Sequence, residues 1–297
     1  MKILFCTDGS RQAENAIRFG GLIAAACQAE ATVLGIAESP GHQTELLQHL
    51  AHVQQLLSDK AASVEIIAKA GAPIEEIVSR TLEAKYELVV IGAVRKSERG
   101  AFWLPAKAYK IIKRLAPPVL VVLGNRARLQ HILVCTGGRD YIDKAVELTG
   151  RIAAGTKARV TLVHVMAPLP VIYTGLRRQG EDLDRLLNSS TPLGQNLKRV
   201  KEAFEALGVP TEVRLLHGEV MTALLQEMRR VDYDLVVAGS TPARGVLRTY
   251  VMGDVTREIV NQAECPVLVV RTGEVPNLPA GLGRFLAEIK QAFTGAR

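Results

Sequence analysis

The sequence predicts an α/β protein with two consecutive doubly wound parallel sheets of five strands each. Short apolar segments of strand length alternate with helix-like segments along the chain. This alternation is typical of a parallel sheet that is covered by helices on both faces. The pattern restarts near residue 131, and the 297 residues are enough for two ordinary domains. We therefore expect one sheet unit at 1–125, a second at 130–272 and a separate tail at 273–297.

The first copy of the pattern already defines a topology. Ser10 follows the first strand and is a suitable N-cap for a helix that begins at Arg11. Pro73 and Pro105 stand at the first turns of two later helices. Right-handed crossovers favour a flavodoxin-like strand order 3-2-1-4-5, with the switch point between the first and fourth strands. The predicted strands are residues 2–7, 31–37, 63–69, 88–91 and 119–123, and the predicted helices are 11–27, 45–57, one starting at 73, and 105–115.

The second copy repeats short sequence motifs of the first. His131-Ile-Leu-Val-Cys-Thr-Gly-Gly matches Lys2-Ile-Leu-Phe-Cys-Thr-Asp-Gly, and the closing Pro266-Val-Leu-Val-Val matches Pro118-Val-Leu-Val-Val. The offset between the copies grows from 129 at the first strand to 147 at the third and fourth strands, so 18 residues are added between 166 and 192. We expect this insertion to form an extended loop or a short extra helix, and the tail to form a linker followed by an amphipathic helix.

Composition narrows the classes of function. No stretch of 18 uncharged apolar residues is present, so the sequence predicts no membrane span. The four cysteines lie far apart without a CxxC motif, which indicates reduced thiols and a cytoplasmic protein. The net charge of +7 would attract anions. Acidic residues are nevertheless interspersed along the chain and no basic-aromatic motif occurs, so we predict no specific nucleic-acid partner.

The candidate binding sites follow from the topology. Ligands of open α/β sheets bind where the strands end beside the switch point. In the first copy this edge carries Thr7, Asp8 and Gly9, together with the loop after Gly92. In the second copy it carries residues 136–138 and the loop after Gly239. A glycine loop that enters a helix N-terminus presents backbone N–H groups to an anion, so a nucleotide or small anion is the expected ligand.

On these residues the chain resembles a tandem universal stress protein over residues 1–272. The matching features are Thr7-Asp8-Gly9-Ser10, the Val-Val-Ile/Ala-Gly fourth strand and the closing Pro-Val-Leu-Val-Val strand. The resemblance implies the adenine-nucleotide-hydrolase-like form of the predicted fold and a stress-response role. It also implies that the fifth strands, 119–123 and 267–270, pair within the chain as an intramolecular pseudo-dimer. A further homodimer stays open, as does the identity of any protein partner.

The ATP-binding members of that family carry a Gly-x2-Gly-x9-Gly-Ser/Thr loop and an Asp that meets the adenine. The first copy keeps Asp8 and Gly92, but Arg95 replaces the second glycine and Pro105-Ala106 replaces the closing pair. Arginine does not offer the positive φ and close backbone approach of glycine, although it supplies positive charge. By the same resemblance, Ile36 would line the base pocket. If either copy binds ATP or another adenine nucleotide, the first copy is favoured.

The second copy departs further from the motif. Its candidate contacts are Gly239, Ser240, Gly245, Gly253 and Asp254. Asp254 replaces the hydroxyl residue, Pro242 replaces the second glycine, and Gly137 replaces the Asp after the first strand. A carboxylate a few ångströms from a triphosphate costs about 1–4 kcal/mol, depending on the local dielectric. A bound Mg²⁺ would reverse that repulsion.

The sequence is compatible with three functions. The first is a regulatory protein that binds a nucleotide or small anion, and the second is a protein-interaction module that binds no nucleotide. The third is a weak ATPase, which is disfavoured because the chain has no Gly-x-Ser-x-Gly motif, no Gly-Lys-Ser/Thr P-loop and no paired carboxylates. Asp8 has an alternative role as a turn-forming residue. His42, His49 and His52 are interpreted as helix-surface histidines because no further metal ligand is indicated.

Overall fold

The computed structural model describes residues 1–93, 111–137, 143–166, 179–240 and 254–271. Strands and helices alternate in both halves, as the sequence predicts, and the strands within these ranges lie in one sheet. Several expectations lie outside the described residues. They concern Arg95, Gly245, Gly253, the start of the helix predicted at 105–115, most of the insertion at 167–178 and the C-terminal tail.

The first half contains five strands and three described helices, with a further helical stretch at 111–114. Ser10 caps α1 as expected, because its hydroxyl oxygen accepts from the backbone N–H of Ala13 at 3.3 Å. Pro73 occupies the first turn of α3. The elements are β1 (Lys2–Thr7), α1 (Arg11–Ala26), β2 (Glu30–Ala37), α2 (Gln43–Leu57), β3 (Ser63–Ala70), α3 (Pro73–Glu83), β4 (Leu88–Ala93) and β5 (Val119–Leu123), with a 3₁₀ turn (Pro40–His42) before α2.

The second half repeats this arrangement and adds a helix. The addition is α5, which lies in the inserted segment and ends shortly before Thr191. Thr191 is the N-cap of the following helix, because its hydroxyl accepts from the backbone N–H of Gly194 at 3.2 Å. The elements are β6 (His131–Cys135), α4 (Asp143–Thr156), β7 (Arg159–Met166), α5 (Gln179–Leu187), α6 (Pro192–Ala206), β8 (Thr211–His217), α7 (Val220–Arg230), β9 (Leu235–Ser240), α8 (Asp254–Gln262) and β10 (Val267–Arg271).

The sheet is continuous across the two halves. Its strand order is β3-β2-β1-β4-β5-β10-β9-β6-β7-β8. The fifth strands of the halves pair antiparallel, with Leu120 opposite Leu268, as the resemblance implies. Each half keeps the predicted five-strand order, and the pairing of the fifth strands covers the open edge that each half would otherwise expose. The carboxyl edge of one half therefore faces the same side of the molecule as the amino edge of the other.

The core forms two apolar layers, one on each face of the sheet. Ile3 and Phe5 face one layer, and Leu4 and Cys6 face the other, because successive strand side chains alternate. Both layers run through both halves. The ends of α1 and α4 meet on the first face. A Cβ built on Gly155 of α4 would lie 2.4 Å from the carbonyl oxygen of Ala26, so this contact requires glycine.

Candidate functional site

The first half has an open crevice at the carboxyl edge of its strands. The crevice has a volume of about 340 Å³ and lies between the end of β1 and the segment that joins β2 to α2. Ile36 and Ala37 are buried and form an apolar wall. Asp8 and Gly9 form the opposite side, so three predicted residues, Asp8, Gly9 and Ile36, are brought together.

The turn at Asp8 is built by local hydrogen bonds. The backbone N–H of Ser10 donates to Oδ1 of Asp8 at 2.9 Å, which is the turn-forming role expected of an aspartate. Gly9 adopts φ +83°, a left-handed conformation that favours glycine. The second carboxylate oxygen of Asp8 is not part of this turn, so turn formation and ligand binding are compatible roles for one side chain.

A histidine of α2 reaches under the same turn. The Thr7 hydroxyl oxygen lies 3.2 Å from Nε2 of His49 and accepts from the backbone N–H of Gly9 at 3.1 Å. Burial lowers the pKa of His49 below its ordinary value, although the carboxylates of Glu14 and Asp8 act in the opposite direction. Thr7, which we predicted as a contact residue, is buried and supports the turn from below.

Gly92 has a packing role that accounts for its identity. A Cβ at this position would lie 2.5 Å from the carbonyl oxygen of Gln12 and 2.8 Å from the backbone nitrogen of Ala13. β4 and the first turn of α1 therefore approach too closely for any side chain. This packing explains the glycine without a phosphate, and the loop that follows Gly92 lies outside the described residues.

The described lining of the crevice is acidic. The exposed carboxylates of Asp8, Glu38 and Glu45 line it, together with His42. The Ser39 hydroxyl lies 3.0 Å from Nδ1 of His42 and holds that ring beside the crevice. This lining suits a neutral or cationic group, such as a base or a ribose, and repels phosphate. Apolar Ile36 and Ala37 with nearby carboxylates thus fit a nucleoside better than a triphosphate.

The equivalent edge of the second half has a different chemistry. Gly137 stands in place of Asp8, so no carboxylate follows β6 directly. Nδ1 of His164 lies 2.9 Å from the carbonyl oxygen of Thr136, and because a carbonyl only accepts, Nδ1 carries the proton. The imidazole therefore bridges β7 to the end of β6. At the position of Asp8 the second half has no side-chain carboxylate.

The loop candidates of the second half are described only at their ends. β9 ends at Ser240 and α8 begins at Asp254. The carbonyl oxygen of Gly239 accepts from the Thr256 hydroxyl at 2.9 Å, which ties the strand end to the helix.

The described residues were also compared with what a metal site, a reactive thiol or a membrane helix would require. Within the described ranges, no three His, Cys, Asp or Glu side chains are grouped so that they could hold a metal ion. Burial raises the pKa of Cys135 to about 12, so this residue stays a thiol at neutral pH. All four cysteines are unpaired by disulfides. Across the same described residues, no helix is long and apolar enough to cross a membrane.

Sequence reasoning missed three residues of the first crevice. Glu38, His42 and Glu45 come from the segment between β2 and α2, and they line the site beside Asp8. A signal for them was present, because the connection after the second strand borders the same edge as the connection after the first. His42 was instead grouped with His49 and His52 as a surface histidine. Nε2 of His52 lies 3.7 Å from a carboxylate oxygen of Glu14, and neither of these two residues lines the crevice.

Comparisons with known proteins agree with the duplicated fold. The sequence model of the universal stress protein family matches residues 1–122 and 128–271. A universal stress protein of Methanocaldococcus jannaschii is 31% identical over 145 residues, which are 48% of this chain and 82% of that protein. One from Thermus aquaticus is 32% identical over 142 residues, or 47% of this chain and 97% of that protein. Each of these relatives therefore matches about half of the chain.

A solved structure matches nearly the whole chain. The crystal structure of a universal stress protein from Archaeoglobus fulgidus superposes with a TM-score of 0.68 at 19% identity. The match covers 92% of this chain and 98% of that one. At this level of identity the comparison supports the architecture alone, with both halves and their joined sheet.

Proposed function

The chain belongs to the universal stress protein family, and from this premise we propose that it is a stress-response binding protein whose first half holds the nucleoside part of an adenine nucleotide. One observation carries the proposal: the crevice at the end of β1 combines an apolar wall, Ile36 and Ala37, with the Asp8 carboxylate. The four unpaired thiols fit a cytoplasmic setting.

The roles of the residues follow from their chemistry. Ile36 and Ala37 would pack against the face of a base, and Asp8 would accept from its exocyclic amino group or from a ribose hydroxyl. The phosphates would extend toward the residues that follow Gly92 in the sequence, among which Arg95 would supply positive charge. Mg²⁺ would enter with the phosphates and screen the carboxylates of the lining. The second half, with Gly137 in place of Asp8, would bind a nucleoside weakly.

A second function is favoured by two specific observations. The described lining is acidic, and Gly92 is accounted for by its contact with Gln12. Both observations fit a module that binds no nucleotide and acts through protein contacts. A weak ATPase would need, in addition, Mg²⁺-dependent phosphate release that is lost together with the Asp8 charge.

The test begins with the nucleotide content of freshly purified protein. The chain is denatured and removed, and the supernatant is resolved by ion exchange; adenosine and Mg-ATP are then titrated calorimetrically. Asp8→Asn is the informative variant, because it keeps the oxygen that accepts from Ser10 but removes the charge. Loss of a hydrogen bond to a charged group should weaken binding by about 10- to 100-fold.

Two further variants complete the design. Asp59→Asn removes an exposed carboxylate outside the crevice and should leave binding unchanged. Gly137→Asp gives the second half the carboxylate that it lacks and should strengthen any binding there. If the purified chain carries no nucleotide and neither adenosine nor Mg-ATP releases heat, the interaction module becomes the better account. Equal affinities of the parent and of Asp8→Asn would show that the Asp8 carboxylate does not contact the ligand.

A further inference from the structure

The amino edge of the second half carries a second cleft, on the opposite edge of that half's strands from its switch point. The cleft has a volume of about 470 Å³ and lies where β6 and β7 begin, with the segment before β9 at its border. Its volume is within the range of small-molecule sites. Arg128, Lys157 and Arg159 line it, together with Asp232 and Asp234.

The two carboxylates of this cleft are already neutralised by arginines. Asp234 is buried and accepts from Arg126 and Arg128, at 3.0 Å each. Asp232 accepts from the same two guanidinium groups. Arg126, which lies outside the cleft lining, and Arg128 balance the two carboxylates, so Lys157 and Arg159 supply positive charge that these carboxylates do not neutralise.

Lys157 and Arg159 have no carboxylate partner among the residues that the structure describes. Nη2 of Arg159 lies 3.2 Å from Nδ1 of His131. Since guanidinium only donates, Nδ1 accepts, and the proton resides on Nε2, which lies 2.9 Å from the Thr161 hydroxyl oxygen. A buried, neutral His131 thus holds the Arg159 guanidinium at the cleft. The fixed fork of an arginine is suited to oxyanions.

The duplication supplies an internal comparison. With the offset of 129, Lys157 and Arg159 correspond to Gln28 and Glu30 of the first half. The cross-strand pair Lys2 and Glu30 of the first half becomes His131 and Arg159 in the second. Gln28 and Lys157 even share a left-handed backbone, with φ of 47° and 57°. The backbone is therefore alike, while cations in the second half replace the uncharged Gln28 and the acidic Glu30 of the first half.

We propose that this cleft binds a small phosphate-bearing anion through Arg159 and Lys157. Arg159 would make a bidentate contact with one phosphoryl group, and the Lys157 ammonium would contact a second oxyanion group as a point charge. Arg128 would border the ligand while it remains paired with Asp232 and Asp234. The site is independent of the nucleoside crevice, because the two lie in different halves and share no residue.

Calorimetric titration of the full chain tests the proposal, with inorganic pyrophosphate, inorganic phosphate and malonate as probes at about 20 mM salt. We expect pyrophosphate to bind more tightly than phosphate, since it engages both cations, and malonate to bind most weakly. The double variant Lys157→Gln/Arg159→Glu copies the first half and should weaken pyrophosphate binding by more than about tenfold. The Asp8→Asn variant should bind pyrophosphate like the parent.

The matched control is Lys198→Gln/Arg185→Glu, which changes the net charge equally at exposed residues that do not line the cleft. It should stay within about twofold of the parent, since screened surface charges act weakly. If the double variant does not fold by circular dichroism, Arg159→Gln alone serves the same test. No heat with pyrophosphate in the parent, tighter binding of malonate than of pyrophosphate, or equal losses in both double variants would overturn the proposal.

Discussion

Replacement of Asp234 by alanine should destabilise the second half strongly, because this carboxylate joins four donors. Its side chain is 1% exposed. Arg126 and Arg128 donate to it from the segment between β5 and β6, and the backbone N–H groups of Gln130 and His131 donate at 2.8 and 3.1 Å. The Asp234 side chain thus holds the segment that connects the two halves against the start of β9.

The magnitude follows from what the substitution leaves unpaired. Removal of one partner of a buried ion pair costs about 3–5 kcal/mol. Arg126 and Arg128 are 23% and 53% exposed, and both keep Asp232, which reduces their share of the loss. The N–H of His131 is buried and would lose its partner, a further cost of about 1–3 kcal/mol. Solvent access and the remaining pairs place the expected net loss near the lower limit, about 3 kcal/mol.

Urea unfolding followed by circular dichroism measures this loss. With a slope of about 3 kcal/mol per M, the midpoint of the transition should fall by about 1 M. The control is Asp232→Ala, which removes a carboxylate that contacts the same two arginines but is 62% exposed. Exposed pairs contribute about 0–1 kcal/mol, so its midpoint should hardly move. Equal midpoints for the two variants would refute the reasoning that burial and the backbone donors make Asp234 dominant.

Three further substitutions have defined outcomes. Gly155→Val should lower stability by about 1–3 kcal/mol in urea unfolding, because the new side chain meets the carbonyl of Ala26; an unchanged midpoint would contradict this contact. Gly92→Ala should destabilise the chain similarly through Gln12, even when no nucleotide is present; a loss only in ligand affinity would argue against packing. Burial acts to raise the pKa of Glu227, but hydrogen bonds from the tyrosine and arginines around it hold that pKa below its usual value of 4.5. The ionised Glu227 therefore contributes its full stabilisation above pH 4.5, and this contribution is lost as the pH falls through the lower pKa of the folded state. Glu227→Gln should make the free energy of unfolding less dependent on pH on the acid side. A profile parallel to that of the parent would exclude the effect.

The order of strands and helices could be predicted because its signals are local. Runs such as Leu88–Ala93 and Val119–Leu123 are apolar and of strand length, and Ser10 and Thr191 cap the helices that follow them. The position of the candidate site at Asp8 and Gly9 followed as well, because parallel strands bring their carboxyl ends to one edge. These inferences need only short windows of sequence and general rules of connection.

The composition of each site could not be predicted in the same way. Glu38 and Glu45 make the crevice acidic, yet neither residue stands out among the charged residues of the sequence. The reason for Gly92 is a backbone contact with Gln12, 80 positions earlier in the chain. His131, Arg159 and the carboxylates before β9 come from three separate segments. Their arrangement depends on register and side-chain packing, which have no local signature.

The sequence by itself determined the duplication, the strand order within each half and the edge where Asp8 stands, since these properties follow from the periodicity of apolar residues and from turn chemistry. The family resemblance added the pairing of the fifth strands, which the structure shows between β5 and β10. Only the tertiary structure decided that Asp8 lines a crevice with other carboxylates and that Lys157 and Arg159 share a cleft. The physical reason is distance along the chain: electrostatic and packing partners are chosen by proximity in the folded molecule, after local preferences have set the elements.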